Sequence, residues 1–273
     1  MQFFQKILLS IYSLVNKTGL LETPWFKKIF WSCYFLYKKY FEDPFFGLTK
    51  QYPDFFREGN ILDIGANIGY TATIFSKAMT PGFRVYAFEP DQTNFLSLKE
   101  IIKIHKSIEK IIPIQAAVGE TTGTIKLWHN ENHHADHRIA TEEYQKSGVN
   151  LTQVSSVPIW SVDKFVESEL QNEVIKFIKI DVQGYELPVC LGMEKTLTAN
   201  PDAVVALEYM PDSMSELGFV PEEIFHYFQE RAYFMYIINQ KGKLEIAEGK
   251  IIDQLVKKRG YIDLVFSQKN LNN

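Results

Sequence analysis

The turn at residues 63–69, with the sequence DIGANIG, lies between a short apolar segment and a helical pattern. Gly65 lets the backbone turn sharply and approach a ligand closely. Gly69 lets the start of the helix lie close to the strand. Asn67 stands where such turns usually have a further glycine, and Asn tolerates a left-handed conformation well. The turn therefore predicts a site where helix N–H groups bind a ligand carboxylate, although an ordinary strand–helix turn would have a similar sequence.

An acidic residue, Glu89, follows the second predicted strand, twenty residues after Gly69. In nucleotide-binding α/β folds, an acid at this point accepts hydrogen bonds from ribose hydroxyls. Glu89 lies between the apolar Phe88 and the rigid Pro90, where a carboxylate has little structural purpose without a ligand. Together with the turn at residues 63–69, Glu89 predicts a nucleoside ligand. This spacing is compatible with both S-adenosylmethionine and NAD.

A further acid, Asp181, directly follows the apolar strand predicted at residues 176–180. Ligands of open α/β sheets bind at the carboxyl ends of the strands, where the strand order reverses. The strands that end near Asp63 and Asp181 should flank this crevice, so we expect Asp181 to face the reacting group of the ligand. The alternative is a structural carboxylate that caps the turn at residues 183–184. Glu186 has the same two interpretations, and we expect it to cap the next helix.

Four histidines lie close together in a polar segment: His129, His133, His134 and His137. Their spacing is irregular and the segment is predicted to be a loop, so we expect no metal site here. An imidazole could instead contact the substrate or act as a base for a hydroxyl group, because its ordinary pKa is near neutrality. A solvated loop with no such role is the alternative.

The elements that must position these residues follow from the apolar pattern. Strands alternate with helices from Ile61 onward, which predicts an α/β fold with a Rossmann-like, doubly wound, mostly parallel sheet. We expect an insertion at about residues 120–160, after the third strand, and an antiparallel pair late in the chain. The predicted strands of the sheet are residues 61–64, 84–88, 111–118, 176–180, 203–207, 234–238 and 261–266; the helices are 70–78, one after Asp91, one from about 185, and 221–231.

Bulk composition excludes several classes of protein. The chain has 273 residues and a formal charge of −4, so no overall basic field indicates nucleic-acid binding. Its two cysteines, Cys33 and Cys190, suggest neither a disulfide scaffold nor a zinc site. We therefore expect a reducing compartment and a cytoplasmic location.

Residues 1–50 form a separate prediction, a helical extension ahead of a domain at residues 51–273. Apolar residues from Phe3 to Val15 fit an amphipathic helix that docks on the domain, on a partner subunit or on a membrane surface. The apolar run is too short for a membrane span, and it lacks the basic start and the cleavage site of a signal peptide. A second helix is predicted for residues 25–41.

Four ordered segments resemble the FkbM-type methyltransferases: ILDIGANIGYTATIF, VYAFEPDQTNFLSL, PIQAAVGE and IKFIKIDVQGYELPVCLGMEKTL. The resemblance covers about residues 61–207. It implies a fold of the class I methyltransferase type, S-adenosylmethionine as the cofactor, and O-methylation of a sugar or another small hydroxylated metabolite. The family commonly has Glu where Gln183 stands, which weakens any role of residue 183 as a base or metal ligand.

The resemblance also implies roles for single residues. Asp181 and His137 would serve the chemical step, and His137 is favoured over the other histidines because ADHR at 135–138 resembles a variant of the family. The residues expected around the cofactor are Asp63, then Gly65, Ala66, Asn67 and Gly69 at the methionine part, Glu89 at the ribose, and Pro90, Asp91, Ala116, Ala117 and Val118 at the adenine.

Alternatives from other classes stay open at this point. An NAD-dependent oxidoreductase would share the fold and the ribose acid, but Gly65 and Gly69 lie four residues apart and do not form the G-x-G-x-x-G pattern. A non-catalytic binding protein would use the aromatic N-terminal segment as its partner surface. N-methylation is the nearest alternative among methyltransferases.

Overall fold

The computed structural model describes residues 23–129, 137–146 and 154–271. The chain divides between Asp43 and Pro44 into two compact units, whereas the sequence predicted a boundary after residue 50. The apolar segment from Phe3 to Val15 lies outside the described residues. Within the described part of the chain, no helix is long and apolar enough to cross a bilayer.

In the described part of the first unit, helix α1 at Pro24–Tyr37 is followed by a π-helical turn at Lys38–Glu42. Proline suits the first turn of a helix, where its missing N–H would have no partner in the helix. The helix predicted for residues 25–41 is therefore present, but its last turn has a wider hydrogen-bond pattern. The helix exposes Ile29 and Leu36.

The second unit is built on a large twisted sheet and a small one. The strands, in chain order, are β1 (Asn60–Ile64), β2 (Val85–Phe88), β3 (Ile111–Ile114), β4 (Ala117–Val118), β5 (Gly123–Trp128), β6 (Arg138–Ile139), β7 (Val154–Trp160), β8 (Ile175–Ile180), β9 (Val204–Tyr209), β10 (Phe234–Ile238), β11 (Leu244–Ile246) and β12 (Ile262–Ser267).

The large sheet has the strand order β11-β10-β12-β9-β8-β1-β2-β3. The five strands from β9 to β3 are parallel, and β12, β10 and β11 pair antiparallel. This arrangement confirms the predicted α/β fold with a mostly parallel sheet and a late antiparallel pair. The strand order reverses between β1 and β8, because the chain adds β2 and β3 on one side of β1 and later returns to the other. Such a reversal opens a crevice at the carboxyl ends of the two strands.

The helices cover both faces of the large sheet, so its central strands are almost entirely apolar. A short 3-10 helix at Pro53–Phe56 precedes β1. The α-helices are α2 (Phe45–Gln51), α3 (Tyr70–Ala78), α4 (Gln92–Ile104), α5 (Glu142–Lys146), α6 (Val162–Ser168), α7 (Glu186–Leu191), α8 (Glu194–Ala199), α9 (Pro211–Glu216), α10 (Glu223–Gln229) and α11 (Gly249–Arg259).

The side chains of β1 show how the two cores are divided. Leu62 and Ile64 pack in one apolar cluster and Ile61 packs in the other, because successive side chains of a strand point to opposite faces. Asp63 shares the face of Ile61 and is fully buried. It stands beside Lys179 of β8 in the strand register. A charged pair therefore lies inside the sheet, at the end where the strand order reverses.

The third strand differs from its prediction. A single strand was predicted at residues 111–118, but β3 ends at Ile114 and β4 pairs with β7 in a second sheet of order β4-β7-β5-β6. A continuous apolar segment has the same pattern whether it stays in one sheet or crosses to another, so periodicity could not locate the break. Ala117 and Val118 were predicted to end the third strand. They belong instead to the small sheet.

Candidate functional site

The turn after β1 has three residues in the left-handed region: Gly65 at φ +79°, Asn67 at +49° and Gly69 at +88°. The conformation expected for Asn67 is confirmed. A Cβ atom at Gly65 would overlap the carbonyl oxygen of Asp181, and one at Gly69 would overlap the side chain of Leu98. Close packing against the neighbouring loop and helix, in addition to any ligand, therefore requires glycine at both positions.

Glu89 is buried at the end of β2 and joins two turns. Its Oε2 accepts a hydrogen bond from the backbone N–H of Asn67 at 2.8 Å, and its Oε1 accepts one from the N–H of Asp91 at 3.0 Å. Burial raises the pKa of Glu89 to about 8, and the nearby Asp91 adds to this effect. The Asn94 side chain also bonds this carboxyl group, and a carboxylate has about four acceptor sites, so capacity for a further donor remains.

Asp63, Lys179 and Asp181 form a charged network across the ends of β1 and β8. The Lys179 ammonium lies 2.9 Å from Asp181 Oδ2 and 3.8 Å from Asp63 Oδ1. Asp63 Oδ2 accepts a hydrogen bond from the Thr71 hydroxyl at 2.7 Å. Burial raises the pKa of Asp63, and the Lys179 charge opposes this only in part. Burial would also lower the pKa of Lys179, but the two carboxylates outweigh it and raise that pKa.

Asp181 keeps its charge because of these partners. Burial alone would raise its pKa, but the Lys179 charge and hydrogen bonds from Lys179, Glu208 and Gln183 hold that pKa below its ordinary value. Gln183, in the left-handed region at φ +55°, donates its side-chain N–H to Asp181 at 3.0 Å and to Glu208 at 3.3 Å. Burial and the charges of Asp181 and Asp263 raise the pKa of Glu208 well above its ordinary value. The Asp181 side chain is 30% exposed, so a charged carboxylate is open to a ligand there.

Glu186 has a structural role in the turn before α7, whereas the sequence predicted that it caps that helix. It is fully buried, and its Oε1 accepts hydrogen bonds from the backbone N–H groups of Val182 at 3.2 Å and Gly184 at 3.1 Å. Burial raises the pKa of Glu186 to about 7. The carboxyl group thereby closes the turn that presents Asp181.

His129 and His137, the two histidines of the cluster that the structure describes, lie beside the turn after β2. His129 Nδ1 is 2.9 Å from Asp91 Oδ2, and His137 Nε2 is 3.7 Å from the same oxygen. Asp91 also caps α4, because its Oδ1 accepts a hydrogen bond from the N–H of Asn94 at 2.8 Å. His137 therefore lies beside the turn that follows β2. His133 and His134 lie outside the described residues.

The remaining residues expected at the adenine lie after β2 and after β3. Pro90 is partly exposed between Glu89 and Asp91, whereas Ala116, Ala117 and Val118 are buried. Ala116 and Val118 pack in the apolar cluster that contains Leu62 and Ile64, and Ala117 packs in the core of the small sheet. Their small or compact side chains thus serve the junction of the two sheets.

The comparison with protein families decides how this geometry is classified. The methyltransferase FkbM domain matches residues 63–244, which include the turn after β1, Glu89 and Asp181. The chain belongs to the FkbM methyltransferase family. The match begins at Asp63 and extends to the late antiparallel strands.

Relatives of this FkbM chain include characterised and structurally solved proteins. The hexuronic acid methyltransferase AglP of Haloferax volcanii is 30% identical over 138 residues, which are half of this chain and half of that protein. The structure of methyltransferase FkbM from Methylobacillus flagellatus has 13% identity and a TM-score of 0.47, over 77% of this chain and 43% of that one. An O-methyltransferase from Bacillus cereus, in complex with SAH, has 13% identity and a TM-score of 0.47, over 95% of this chain and 89% of that one.

Two members of the charged network in this FkbM chain were not predicted from the sequence. Lys179 and Glu208 lie in the strands IKFIKI and VVALEY, where the buried neighbours of each are apolar or aromatic. Ionic side chains are rarely buried without a partner. A lysine or glutamate inside a strand of a parallel sheet was therefore the available signal, and it pointed to Asp63 and Asp181 as the partners.

Proposed function

We propose that this protein is an S-adenosylmethionine-dependent methyltransferase that methylates a hydroxyl of a sugar or another small hydroxylated metabolite. The observation that carries the proposal is the buried Glu89 carboxylate, joined to the left-handed turn after β1 in a chain of the FkbM methyltransferase family. The sugar is supported by the hexuronic acid methyltransferase of Haloferax volcanii, although the aligned region spans only half of each protein. A cytoplasmic location is supported by the two free cysteines.

The residues around β1 and β2 fit the cofactor. Glu89 accepts hydrogen bonds from two backbone N–H groups and from the Asn94 side chain, which leaves acceptor capacity for a ribose hydroxyl. Gly65, Ala66 and Gly69 form the turn beside it, where the methionine part would bind. S-adenosylmethionine supplies an electrophilic methyl group when it is bound.

Asp181 is the residue that this proposal assigns to the acceptor. Its carboxylate is held in the ionised form by Lys179 and is partly exposed at the reversal of the strand order. It can accept a hydrogen bond from the acceptor hydroxyl and so align the oxygen for attack. Its low pKa makes it better suited to orienting this hydroxyl than to storing the proton.

The predicted catalytic role of His137 is not carried into this proposal. His137 lies against Asp91 after β2, whereas Asp181 follows β8, and β1 separates the two strands. Adjacent strands are about 4.8 Å apart, so these strand ends are about 10 Å apart. A group beside Asp91 belongs to the nucleoside end of the site, away from Asp181.

Replacement of Glu89 by Ala tests the cofactor assignment. The loss of one or two charge-assisted hydrogen bonds should raise the dissociation constant for S-adenosylmethionine about tenfold or more, measured by calorimetric titration. The matched control is Glu223→Ala, which removes an exposed carboxylate of α10 and should leave the dissociation constant unchanged. An unchanged constant in folded Glu89→Ala would remove Glu89 from the cofactor site.

The acceptor class needs a separate assay of product formation. The protein is incubated with S-adenosylmethionine and single acceptors: a hexuronic acid, a neutral hexose, a simple polyol and an amine of similar size. We expect release of S-adenosylhomocysteine with a hydroxylated acceptor, and mass spectrometry should place the new methyl group on oxygen. Methylation of the amine alone would overturn the assignment of an O-methyltransferase.

A further inference from the structure

Three potential metal ligands converge where the small sheet meets the large one. They are Asp91 after β2, His129 after β5 and His137 before β6, and their ligand atoms all lie within 4.8 Å of one another. The side chains of Asp91 and His137 are 6% and 8% exposed, and that of His129 is 26% exposed. Two imidazoles and a carboxylate are a ligand set that transition metals, zinc above all, accept readily.

The distances between these atoms fit a metal ion. Ligands at about 2.0–2.2 Å from a tetrahedral zinc ion are separated from each other by about 3.3–3.6 Å. Asp91 Oδ2 lies 2.9 Å from His129 Nδ1 and 3.7 Å from His137 Nε2. The first distance is below this range and the second is above it. The longer one exceeds an ordinary hydrogen bond. Small side-chain rotations would therefore bring the three atoms around one ion.

The surrounding contacts resemble those that orient metal ligands. The second ring nitrogen of His129, Nε2, is 2.6 Å from the hydroxyl of Ser155 on β7. The second oxygen of Asp91, Oδ1, is held by the N–H of Asn94. Each of these two ligands thus has its outer atom fixed by a hydrogen bond, which leaves Nδ1 and Oδ2 directed at the common point.

We propose that Asp91, His129 and His137 bind one divalent transition-metal ion of the zinc type. The ion would join the end of β5 and the start of β6 to the turn after β2, two residues from Glu89, and would leave at least one coordination position for water or another ligand. This differs from the expectation of no metal site, which considered the histidines alone. The carboxylate lies 38 residues before His129, so the histidine spacing could not reveal it.

Titration of the metal-free protein with Zn²⁺ tests the site without any methyl-transfer assay. We expect one ion per chain with a dissociation constant of about 10 µM or lower. His129→Gln, His137→Gln and Asp91→Asn should each weaken binding at least about tenfold; Asn retains the helix cap in the last variant. Ser155→Ala, which removes only the orienting hydroxyl, should weaken it by about 10–100-fold. His226→Gln, on the exposed surface of α10, is the control and should bind as the wild type does.

Two results would overturn the proposal. One is no saturable binding of Zn²⁺ by the wild type up to about 100 µM, a level typical of weak surface contacts. The other is equal binding by wild type and the folded ligand variants. If those variants do not fold, the absorption of the Co²⁺-loaded wild type decides: intense visible bands of a tetrahedral site support it, and a weak octahedral spectrum contradicts it. Binding of S-adenosylmethionine, measured separately, reports on Glu89 whichever way the metal test ends.

Discussion

At the scale of single residues, two carboxyl groups of the site differ in charge state because their partners differ. Glu89 receives hydrogen bonds from two backbone N–H groups and from the Asn94 side chain but has no cationic partner, so burial prevails and its pKa rises to about 8. Asp181 has the Lys179 ammonium at 2.9 Å, and its pKa falls despite burial. The group proposed for the ribose is thus easily protonated, whereas the group proposed for the acceptor is ionised across the neutral range.

Replacement of Asp181 by Asn should affect turnover much more than cofactor affinity. Asn keeps the size and the contact with Gln183 but loses the charge, so we expect turnover to fall about a hundredfold or more, with the dissociation constant for S-adenosylmethionine nearly unchanged. Single-turnover kinetics and calorimetry measure the two quantities.

The matched control for this experiment is Glu208→Gln. The raised pKa of Glu208 means that a neutral amide there preserves the charge of the cluster, and turnover should change little. Thermal unfolding must accompany both variants, because Asp181→Asn also leaves the buried Lys179 with Asp63 as its nearest remaining anion. Full activity of folded Asp181→Asn would show that the charge does not serve the chemical step.

At the scale of elements, the site consists of turns that follow parallel strands. The turn after β1 contacts the turn after β8 at Gly65 and the turn after β2 through Asn67 and Glu89. The turn after β8 is itself closed by Glu186 and has two left-handed residues, Gln183 and Gly184. These contacts connect the three turns to one another, so strain in any of them should be transmitted to the ligand site.

Substitutions of Asn67 test this connection between the turns. Gly accepts the left-handed conformation and β-branched Val does not, at a cost of about 1–3 kcal/mol. We therefore expect Asn67→Val to unfold more easily than Asn67→Gly in urea, and to bind S-adenosylmethionine more weakly. Ile68→Val, at the next position and outside the left-handed region, is the control and should be mild. Equal stability and equal cofactor binding of the Val and Gly variants would show that residue 67 does not need this conformation in solution.

At the scale of the whole molecule, buried acids determine how stability depends on pH. The folded-state pKa values of Glu89 and Glu186 are raised to about 8 and about 7, and those of Asp63 and Glu208 are also raised. Between the unfolded pKa, about 4.5 for Glu, and these values, the folded state binds more protons than the unfolded state. The free energy of unfolding should therefore fall as the pH rises through this window.

We expect urea denaturation of the ligand-free protein to show decreasing stability from about pH 5 to about pH 8. Each group contributes a slope of at most about 1.4 kcal/mol per pH unit within its own window. Glu89→Gln and Glu186→Gln should each reduce the slope, the first up to about pH 8 and the second up to about pH 7. A pH dependence identical in wild type and both variants would mean that neither carboxyl takes up a proton on folding.

The sequence by itself determined where β1, β2, β8 and β9 and the turn after β1 lie, but it did not predict helices α2, α6 and α11. The helix at Tyr70–Ala78 and the strand at Phe234–Ile238 were predicted with their observed bounds, because local periodicity and local breakers define them. The left-handed Asn67 and the cap at Asp91 were predictable for the same reason, since each depends on the conformation of one short segment.

Only the tertiary structure decided which side chains meet. The break between β3 and β4, the pairing of Lys179 with Asp63 and Asp181, and the position of His129 and His137 beside Asp91 depend on contacts between segments that are distant in sequence. Burial and partner charge then determine the charge of each acid, and neither is visible in a residue's type. A pattern along one chain records the period of an element, but the register and order of the strands are decided by packing across the whole sheet.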